Sequence, residues 1–245
     1  FPVIRSLMLG LGLLGGLQTA ITASADSSTD KFKQQLASQL PEFTINEVKP
    51  SPITGLYEVT VGGDTVLVSA DGKYLLTGDL IEVATRTNLS EKRRGTKILA
   101  AIEKAGEKDM IVIGPAKAKH TITVFTDVDC PYCSKLHNEV PELTKAGIKV
   151  RYLLYPRAGV GSETYKRSVA VWCAKDRVKA VGIAKSGGAL DMKTCDNPVE
   201  ANIKLGQSLG VSGTPTLVLD SGQVIPGYVP ADKLVAGLAQ GNSKN

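Results

Sequence analysis

The stretch TVFTDVDCPYCSKLH, residues 123–137, decides the fold of the C-terminal part of the chain. Its first residues form an apolar run typical of a buried strand, and residues 131–145 are predicted to form a helix. Pro131 suits the first turn of that helix, where a missing backbone N–H costs nothing. The stretch therefore predicts a strand that ends before Cys130 and a helix that begins directly after it.

The two cysteines of this stretch have the spacing of a redox pair. Cys130 is expected at the helix N-terminus, where the positive end of the helix dipole and the free N–H groups favour a thiolate. Cys133 lies one turn further along and is expected to be covered, which suits a thiol that resolves a mixed disulfide. Because a disulfide needs Cα atoms within about 7 Å of each other, a pair in one helical turn can open and close with little movement.

Two other interpretations of the pair remain. A structural zinc site usually needs a second close pair of cysteines, and Cys173 and Cys195 are too far apart in sequence to supply one. His137 follows on the same helix, but a single histidine there is more often a packing or surface residue than a ligand. The sequence therefore predicts no metal, and an inert staple remains as the alternative to a redox pair.

The other two cysteines are interpreted as a structural disulfide. With Cys130 and Cys133 as the local pair, Cys173 and Cys195 are left to pair with each other, although three pairings are formally possible. Closing the loop between them is worth roughly 3 kcal/mol in the chain-entropy model. A bridge that holds a helical segment is therefore favoured over a second active pair.

The N-terminal residues indicate export. Residues 1–25 combine an early arginine, a leucine-rich segment and a small-residue end, which predicts a signal peptide cleaved after Ala25. A membrane anchor is the alternative, and the glycines in the apolar segment argue against it. An even number of cysteines fits an oxidising compartment. Because the net charge of +5 is mild and the basic residues are scattered, no nucleic-acid partner is expected.

Residues 26–86 are predicted to form a dimerisation domain. An amphipathic helix over residues 31–40 is followed by short alternating strands, with turns at Gly62-Gly63 and Asp71-Gly72. Such a unit has a small core and an open strand edge. Self-association would cover both.

Residues 87–108 are predicted to form a linker helix, with Ser90 as its N-cap and Gly95 as a flexible point. Residues 109–245 then read as strand, helix, strand, several helices, hairpin and helix. This order is typical of an α/β domain with a parallel strand pair at its centre. The helices at about 161–209 are interpreted as an insertion in that domain.

Several motifs, taken in their order along the chain, resemble one known family. They are HTITVFTDVDCPYCSKLH, VRYLLYPRAGV, VWCAKD and LGVSGTPTLVLDSGQVIPGYVP. Together they are similar to the DsbC and DsbG family of bacterial periplasmic thiol:disulfide interchange proteins. The resemblance implies the fold class α+β, with an N-terminal cystatin-like dimerisation domain, a linker helix and a C-terminal thioredoxin-like α/β domain with a helical insertion. It also implies a homodimer in the periplasm.

The resemblance also implies roles for single residues. Cys130 would attack substrate disulfides and Cys133 would resolve the mixed disulfide. Thr214 and Pro215 would bind the substrate, with Pro215 in the cis form.

The dipeptide between the two active cysteines tunes the redox potential. Here it is Pro131 and Tyr132, which is more typical of DsbG, whereas the cysteine pair at 173 and 195 favours DsbC.

The implied function is that of a protein disulfide isomerase and reductase. It would rearrange non-native disulfides in misfolded exported proteins, with chaperone-like substrate binding and no cofactor, and the membrane electron carrier DsbD would keep it reduced. Three alternatives remain. They are a net disulfide oxidase with the task of DsbA, a DsbG-like thiol reductase or chaperone, and a binding module in which the cysteines are incidental.

Overall fold

The computed structural model describes residues 22–62 and 64–241 of the chain. It divides into two compact units, and the boundary lies between Gly78 and Asp79. Nearly all of the predicted signal peptide, residues 1–25, lies outside the described residues. Among the helices of the described part, none is long and apolar enough to cross a membrane.

The first unit is a helix followed by an antiparallel sheet. Its elements are α1 (Thr22–Gln39), β1 (Ile45–Pro50), β2 (Leu56–Val61), β3 (Asp64–Ser69) and β4 (Leu75–Leu76), and the strands pair in this order. Strand β1 is absent from the sequence prediction. Ile45 is its one buried residue, so β1 lacks the alternation that marks a half-buried strand.

The core of the first unit is small. Phe32 and Leu36 of α1 pack on the sheet, and the Phe32 ring stacks on Tyr57 with the ring centroids 4.5 Å apart. The buried members on the sheet side are Ile45, Val59 and Val68. A core of this size leaves much of the apolar surface of the unit unburied.

The second unit begins before the predicted linker helix. Strand β5 (Ile81–Glu82) pairs with β6 (Thr87–Asn88), and α2 (Leu89–Ala105) follows directly. Asp79 accepts hydrogen bonds from Asn88 Nδ2 at 2.8 Å and from Arg94 Nη2 at 3.0 Å. The segment from residue 79 to 86, which the sequence analysis placed in the dimerisation domain, is thus joined to α2.

The predicted N-cap of α2, Ser90, is wrong. Helix α2 begins at Leu89, and the side chain of Asn88, two residues before Ser90, accepts the capping hydrogen bond from the Glu91 N–H at 2.9 Å. The Ser90 hydroxyl instead accepts a hydrogen bond from the Leu80 N–H at 3.0 Å. Asparagine and serine are both good N-caps, so the sequence does not rank the two positions.

Gly95 allows a close approach of two backbones. A Cβ at Gly95 would lie 3.1 Å from backbone atoms of Gly222. Packing against this neighbour therefore explains a glycine in the middle of α2, in place of the flexible point that the sequence suggested.

The rest of the second unit is a five-stranded sheet with helices around it. After a short 3-10 turn, its elements are β7 (Ile111–Ile113), β8 (His120–Thr126), α3 (Pro131–Asn138), α4 (Val140–Lys145), β9 (Ile148–Leu154), α5 (Glu163–Trp172), α6 (Arg177–Lys185), α7 (Val199–Ser208), β10 (Thr216–Leu219), β11 (Val224–Pro226) and α8 (Ala231–Gly241). The strand order is β11-β10-β8-β9-β7. Strands β8 and β9 are parallel, and the other pairs are antiparallel.

The predicted helix over residues 131–145 is divided in two. Helix α3 ends at Asn138, and α4 begins at Val140 with Pro141 in its first turn. Because Pro141 has no N–H to donate to the carbonyl four residues earlier, a continuous helix would lose a hydrogen bond and meet a steric clash there. The break keeps α3 short and directly linked to the end of β8.

The core of the second unit lies on both faces of β8 and β9. Phe125, Tyr152 and Leu153 are at most 1% exposed, and the ring of Phe125 meets that of Tyr155 edge to face. Helices α5, α6 and α7 form the predicted insertion between β9 and β10. They bring side chains from the middle of the chain to the carboxyl end of β8.

Candidate active site

Cys130 lies between the end of β8 and the start of α3. It is the N-cap residue of α3, with an extended backbone (φ −84°, ψ 122°), and its carbonyl oxygen accepts the Ser134 N–H at 3.0 Å. Pro131 is the first residue of the helix and Tyr132 the second. The sulfur is thus placed at the helix N-terminus, as the sequence predicts.

Both cysteines of the pair are free thiols, and both are buried. Cys133 is 1% exposed, as expected for the resolving thiol. Cys130 is also only 2% exposed, although a nucleophile at a helix N-terminus is expected to be accessible to solvent. An open groove runs beside the pair, lined by Asp129, Pro131 and Lys135 among others.

The segment before β10 completes the site. The Thr214–Pro215 peptide bond is cis, and Cys130 Sγ donates a hydrogen bond to the Thr214 carbonyl oxygen at 3.3 Å. The Thr214 hydroxyl is buried and has no hydrogen-bond partner among the described residues. Ionisation of the neighbouring thiol would give this hydroxyl an acceptor.

The surroundings shift the pKa values of the two thiols in opposite directions. Burial raises the pKa of Cys130, but hydrogen bonds donated to its thiolate by the Thr214 side chain and by Cys133, together with the charge of Arg157, bring it below the ordinary value of a thiol. Burial raises the pKa of Cys133 above that value, and hydrogen bonds and the charge of Lys185 offset only part of this effect. Cys130 is therefore the thiol that ionises first.

The carboxylates beside the pair are held by arginines. Asp127 is nearly buried and accepts hydrogen bonds from Arg157 N, Arg157 Nε and Thr164 Oγ1 at 2.8 to 3.2 Å. Burial raises the pKa of Asp127, but these hydrogen bonds and one from the Asp129 N–H bring it below its usual range. Asp129 accepts from Arg167 Nε at 2.9 Å. The sequence could not decide how these two charges act, because it does not reveal their arginine partners.

Lys185, the last residue of α6, was missed by the sequence analysis. Its side chain is buried, and Nζ donates to Thr126 Oγ1 at 2.7 Å and to the Asp127 carbonyl at 3.2 Å. Nothing local in the sequence marks this residue, because its burial depends on how the insertion folds back onto β8. The Ser134 hydroxyl donates to the Lys185 carbonyl at 2.7 Å, which joins α6 to α3.

His137 packs against Tyr152 of β9. Its Nδ1 lies 3.0 Å from the Tyr152 hydroxyl. Burial and the charge of Lys185 lower the pKa of His137 to about 4. In the described part of the chain, no group of three or more His, Cys, Asp or Glu side chains is placed to hold a metal ion.

An aromatic surface lies next to the cysteines. The Tyr132 side chain is 63% exposed, and its ring stacks on Tyr228 with centroids 6.5 Å apart. Lys135 Nζ lies 4.5 Å from the centre of the Tyr228 ring, and the Tyr228 hydroxyl donates to Glu139. This hydrogen bond raises the pKa of Tyr228 to about 12. Tyr228 thus presents an uncharged ring at physiological pH.

Cys173 and Cys195 form a disulfide, with an S–S distance of 2.01 Å. It joins the residue after α5 to the loop that follows α6. The bridge therefore encloses α6, the helix that carries Lys185.

The chain matches two protein families. A thioredoxin-like domain family matches residues 106–242, and the family described as disulfide bond isomerase protein N-terminal domain matches residues 23–91. A solved disulfide interchange protein from Neisseria gonorrhoeae is 30% identical and covers 55% of this chain and 96% of its own, with a TM-score of 0.49.

Curated relatives extend the match over most of the chain. The thiol:disulfide interchange protein DsbC of Dickeya dadantii is 41% identical over 78% of this chain and 79% of its own length. DsbC of Escherichia coli K12 is 34% identical over 91% and 92%, and DsbC of Haemophilus influenzae is 39% identical over 89% and 92%. The resemblance and the α+β fold class inferred from the motifs are confirmed, and the chain belongs to the DsbC family of thiol:disulfide interchange proteins.

Proposed function

We propose that this protein rearranges wrong disulfide bonds in exported proteins, with Cys130 as the nucleophile. The observation that carries the proposal is the free thiol of Cys130 at the N-terminus of α3, within hydrogen-bond distance of the Thr214 carbonyl. The lowered pKa of Cys130 supports the same role, because the thiolate is the reactive form. Membership of the DsbC family agrees with this chemistry.

The reaction is thiol–disulfide exchange. The Cys130 thiolate attacks one sulfur of a substrate disulfide, so that a mixed disulfide forms and the other substrate sulfur leaves as a thiolate. In isomerisation, a substrate thiolate then displaces Cys130 and forms a different substrate disulfide. In reduction, Cys133 displaces the substrate, and the Cys130–Cys133 disulfide forms. Neither route requires a cofactor.

Thr214 and Pro215 are proposed to hold the substrate backbone. In the thiol form, the Thr214 carbonyl accepts a hydrogen bond from Cys130. When Cys130 loses its proton, this carbonyl becomes free to accept an N–H from an extended substrate segment. Pro215 supports the role because it has no N–H that would compete for substrate acceptors.

Residues 26–86 are proposed to contain the dimer interface, with β4 at its centre. This strand is at the edge of its sheet, and Tyr74, Leu75 and Leu76 are 67%, 51% and 48% exposed. An apolar edge strand over a small core favours pairing with a second copy. Sedimentation at micromolar protein should give a dimer, and Leu75→Lys should shift it to monomer. A monomeric wild type would contradict this interface.

The protein is proposed to act in the periplasm after removal of residues 1–25. The Cys173–Cys195 disulfide supports an oxidising compartment. Isomerisation needs Cys130 reduced, so an electron donor is required there, and the family resemblance makes the membrane carrier DsbD the proposed one.

Scrambled, fully disulfide-bonded ribonuclease tests the proposed function. Catalytic amounts of residues 26–245 in a reducing buffer should restore ribonuclease activity faster than the buffer alone, and Cys130→Ala should remove the gain. Cys133→Ala should keep part of the gain and accumulate mixed disulfides, because only the resolving thiol is lost. If the protein instead only oxidised reduced ribonuclease, the alternative of a net oxidase would replace the proposal.

A further inference from the structure

We propose that Lys185 is a positioning residue for the resolving step, and that its ammonium group, acting through the Thr126 hydroxyl, stabilises the thiolate of Cys133. The inference rests on the proposed roles of Cys130 and Cys133 and adds to them a residue from the helical insertion.

The first observation is the burial of a lysine behind the cysteine pair. Lys185 is 7% exposed, and its ammonium group meets three neighbours: Thr126 Oγ1 at 2.7 Å, the Asp127 carbonyl at 3.2 Å and the Tyr152 ring, whose centre is 5.6 Å away. Removing an ammonium ion from water costs several kcal/mol unless charge and hydrogen bonds compensate. A buried lysine without a structural ion pair therefore calls for another compensating charge.

The nearest carboxylates already have other partners. Asp127 is paired with Arg157, and Asp129 is paired with Arg167. Both carboxylates still act on the Lys185 charge, but each also serves an arginine. Among the charged groups near Lys185, Cys133 has the largest effect on its pKa.

Thr126 is hydrogen-bonded to the lysine and also acts on Cys133. A lysine ammonium group has three donors and no acceptor, so the Thr126 oxygen must accept the hydrogen bond from Nζ. The hydroxyl hydrogen of Thr126 is then free to be donated elsewhere. Burial raises the pKa of Cys133, and the charge of Lys185 and a hydrogen bond from Thr126 both oppose that effect.

The resolving step creates negative charge on the Cys133 sulfur, which the positive charge of Lys185 would stabilise. Cys133 gives up its proton as its sulfur attacks Cys130 in the mixed disulfide. The Cys130–Cys133 bond forms, the bond from Cys130 to the substrate breaks, and the substrate sulfur leaves with the electron pair and takes up one proton. No external oxidant or reductant is consumed. The ammonium group of Lys185 stabilises the transient thiolate.

Other titratable groups also face Lys185. Cys130 is the N-cap of α3, Cys133 and His137 lie on α3, Tyr152 lies on β9, and Asp127 and Asp129 follow β8. Arg157, the other cation close to the cysteines, follows β9, and its charge acts on both thiols. Its guanidinium is bound to Asp127, however, whereas the Lys185 ammonium group is hydrogen-bonded to the neutral hydroxyl of Thr126.

The test is a titration of the Cys133 thiol in the full mature chain. In a Cys130→Ala background, Cys133 is the one free thiol beside the bridged pair, and the ultraviolet absorbance of its thiolate reports its ionisation. Lys185→Met should raise the measured Cys133 pKa by about one pH unit or more. Lys179→Met, an exposed lysine on the same helix, should leave it unchanged.

Thr126→Val separates the contribution of the Thr126 hydroxyl from that of the Lys185 charge. This variant keeps Lys185 and the side-chain shape but removes the bridging hydroxyl, so it should also raise the Cys133 pKa, by less than Lys185→Met does. It also decides the question if Lys185→Met fails to fold. The proposal is overturned if Lys185→Met folds and leaves the Cys133 titration in place, or if Lys179→Met shifts it equally.

A kinetic measurement separates this inference from the proposed function. With Cys130 held in a mixed disulfide with glutathione, release of glutathione by Cys133 should slow about threefold or more in Lys185→Met, because the loss of thiolate outweighs the gain in nucleophilicity. The first attack by Cys130 on a substrate disulfide should slow much less. If both steps slow equally, Lys185 has no specific role in resolution. If the wild type performs neither step, the proposed function itself fails.

Discussion

Cys130 donates a hydrogen bond to the carbonyl oxygen of Thr214, 3.3 Å from its sulfur, although 84 residues separate them in sequence. Strand pairing explains the contact, because Thr216 of β10 lies opposite Phe125 of β8. The end of β8 leads into Cys130, and the start of β10 follows Thr214. The sheet thus places a nucleophile and a carbonyl acceptor side by side.

We expect alkylation to distinguish the two thiols. At pH values below the usual thiol pKa, a limiting amount of iodoacetamide should label Cys130 in preference to Cys133, because the pKa of Cys130 is lowered and that of Cys133 is raised. Below its pKa, the Cys130 rate should fall tenfold per pH unit. Mass spectrometry of the labelled peptides measures both rates. In denaturant the two cysteines should react alike, and a preference that persisted there would contradict the environmental origin.

Gly222→Ala should destabilise the second unit through the contact with α2. A Cβ at Gly222 would lie 2.5 Å from the Gly95 backbone, and φ at this position is +83°. The overpacking term should be about 1–3 kcal/mol. Fluorescence of Trp172, the single tryptophan of the chain, reports urea unfolding of this unit.

Gly227→Ala is the matched control for that prediction. Its φ is +89°, but an added Cβ would meet no atom within 4 Å. The control therefore includes the backbone strain and excludes the contact. Equal loss of stability in the two variants would show that the approach of Gly95 to Gly222 is unimportant.

Removal of the disulfide should loosen the insertion and leave the redox pair intact. Replacing both Cys173 and Cys195 by alanine should lower the free energy of unfolding by about 2–4 kcal/mol, because the open chain gains conformational freedom in the unfolded state. Urea unfolding followed by Trp172 fluorescence gives the change. Isomerase activity at low temperature should persist, and its complete loss in a folded variant would assign the bridge a direct catalytic role.

Regular elements with strong local signals follow the sequence closely. Strands β9 and β10, residues 148–154 and 216–219, occur in the predicted order of elements, because apolar runs bounded by turn residues mark them. Strand β1 and the break before Val140 depart from the prediction. Strand β1 lacks a period-two pattern of apolar residues. The helix break is marked in the sequence only by Pro141, within a segment that otherwise has a helical pattern.

The immediate surroundings of the cysteines depend on contacts between distant segments. Lys185 is a polar residue near the end of a helical segment, and its sequence neighbours give no sign that it is buried against Thr126. Arg157 and Asp127 are 30 residues apart, and their pairing follows from the parallel arrangement of β8 and β9. A local motif therefore identifies the reactive sulfur, whereas the groups that tune it become visible only in the folded chain.

His137 should make the second unit less stable as the pH falls from about 6.5 to about 4. The sign follows from burial, which disfavours the charged imidazolium and thus lowers the folded-state pKa below the unfolded one. The stabilising contribution is then fully present above the unfolded pKa, declines through this window and is lost below the folded pKa. With the partial exposure of the ring taken into account, it should be about 2 kcal/mol.

Urea unfolding at several pH values, followed by Trp172 fluorescence, measures this slope. His137→Gln should flatten it between about pH 6.5 and about pH 4, because glutamine does not titrate there. His120→Gln is the matched control, since it replaces the other histidine of the chain and keeps His137. Lys185→Met should also flatten the slope in part, because its charge contributes to the low pKa of His137. If His137→Gln kept the full slope, the acid sensitivity would have to come from carboxylates such as Asp127.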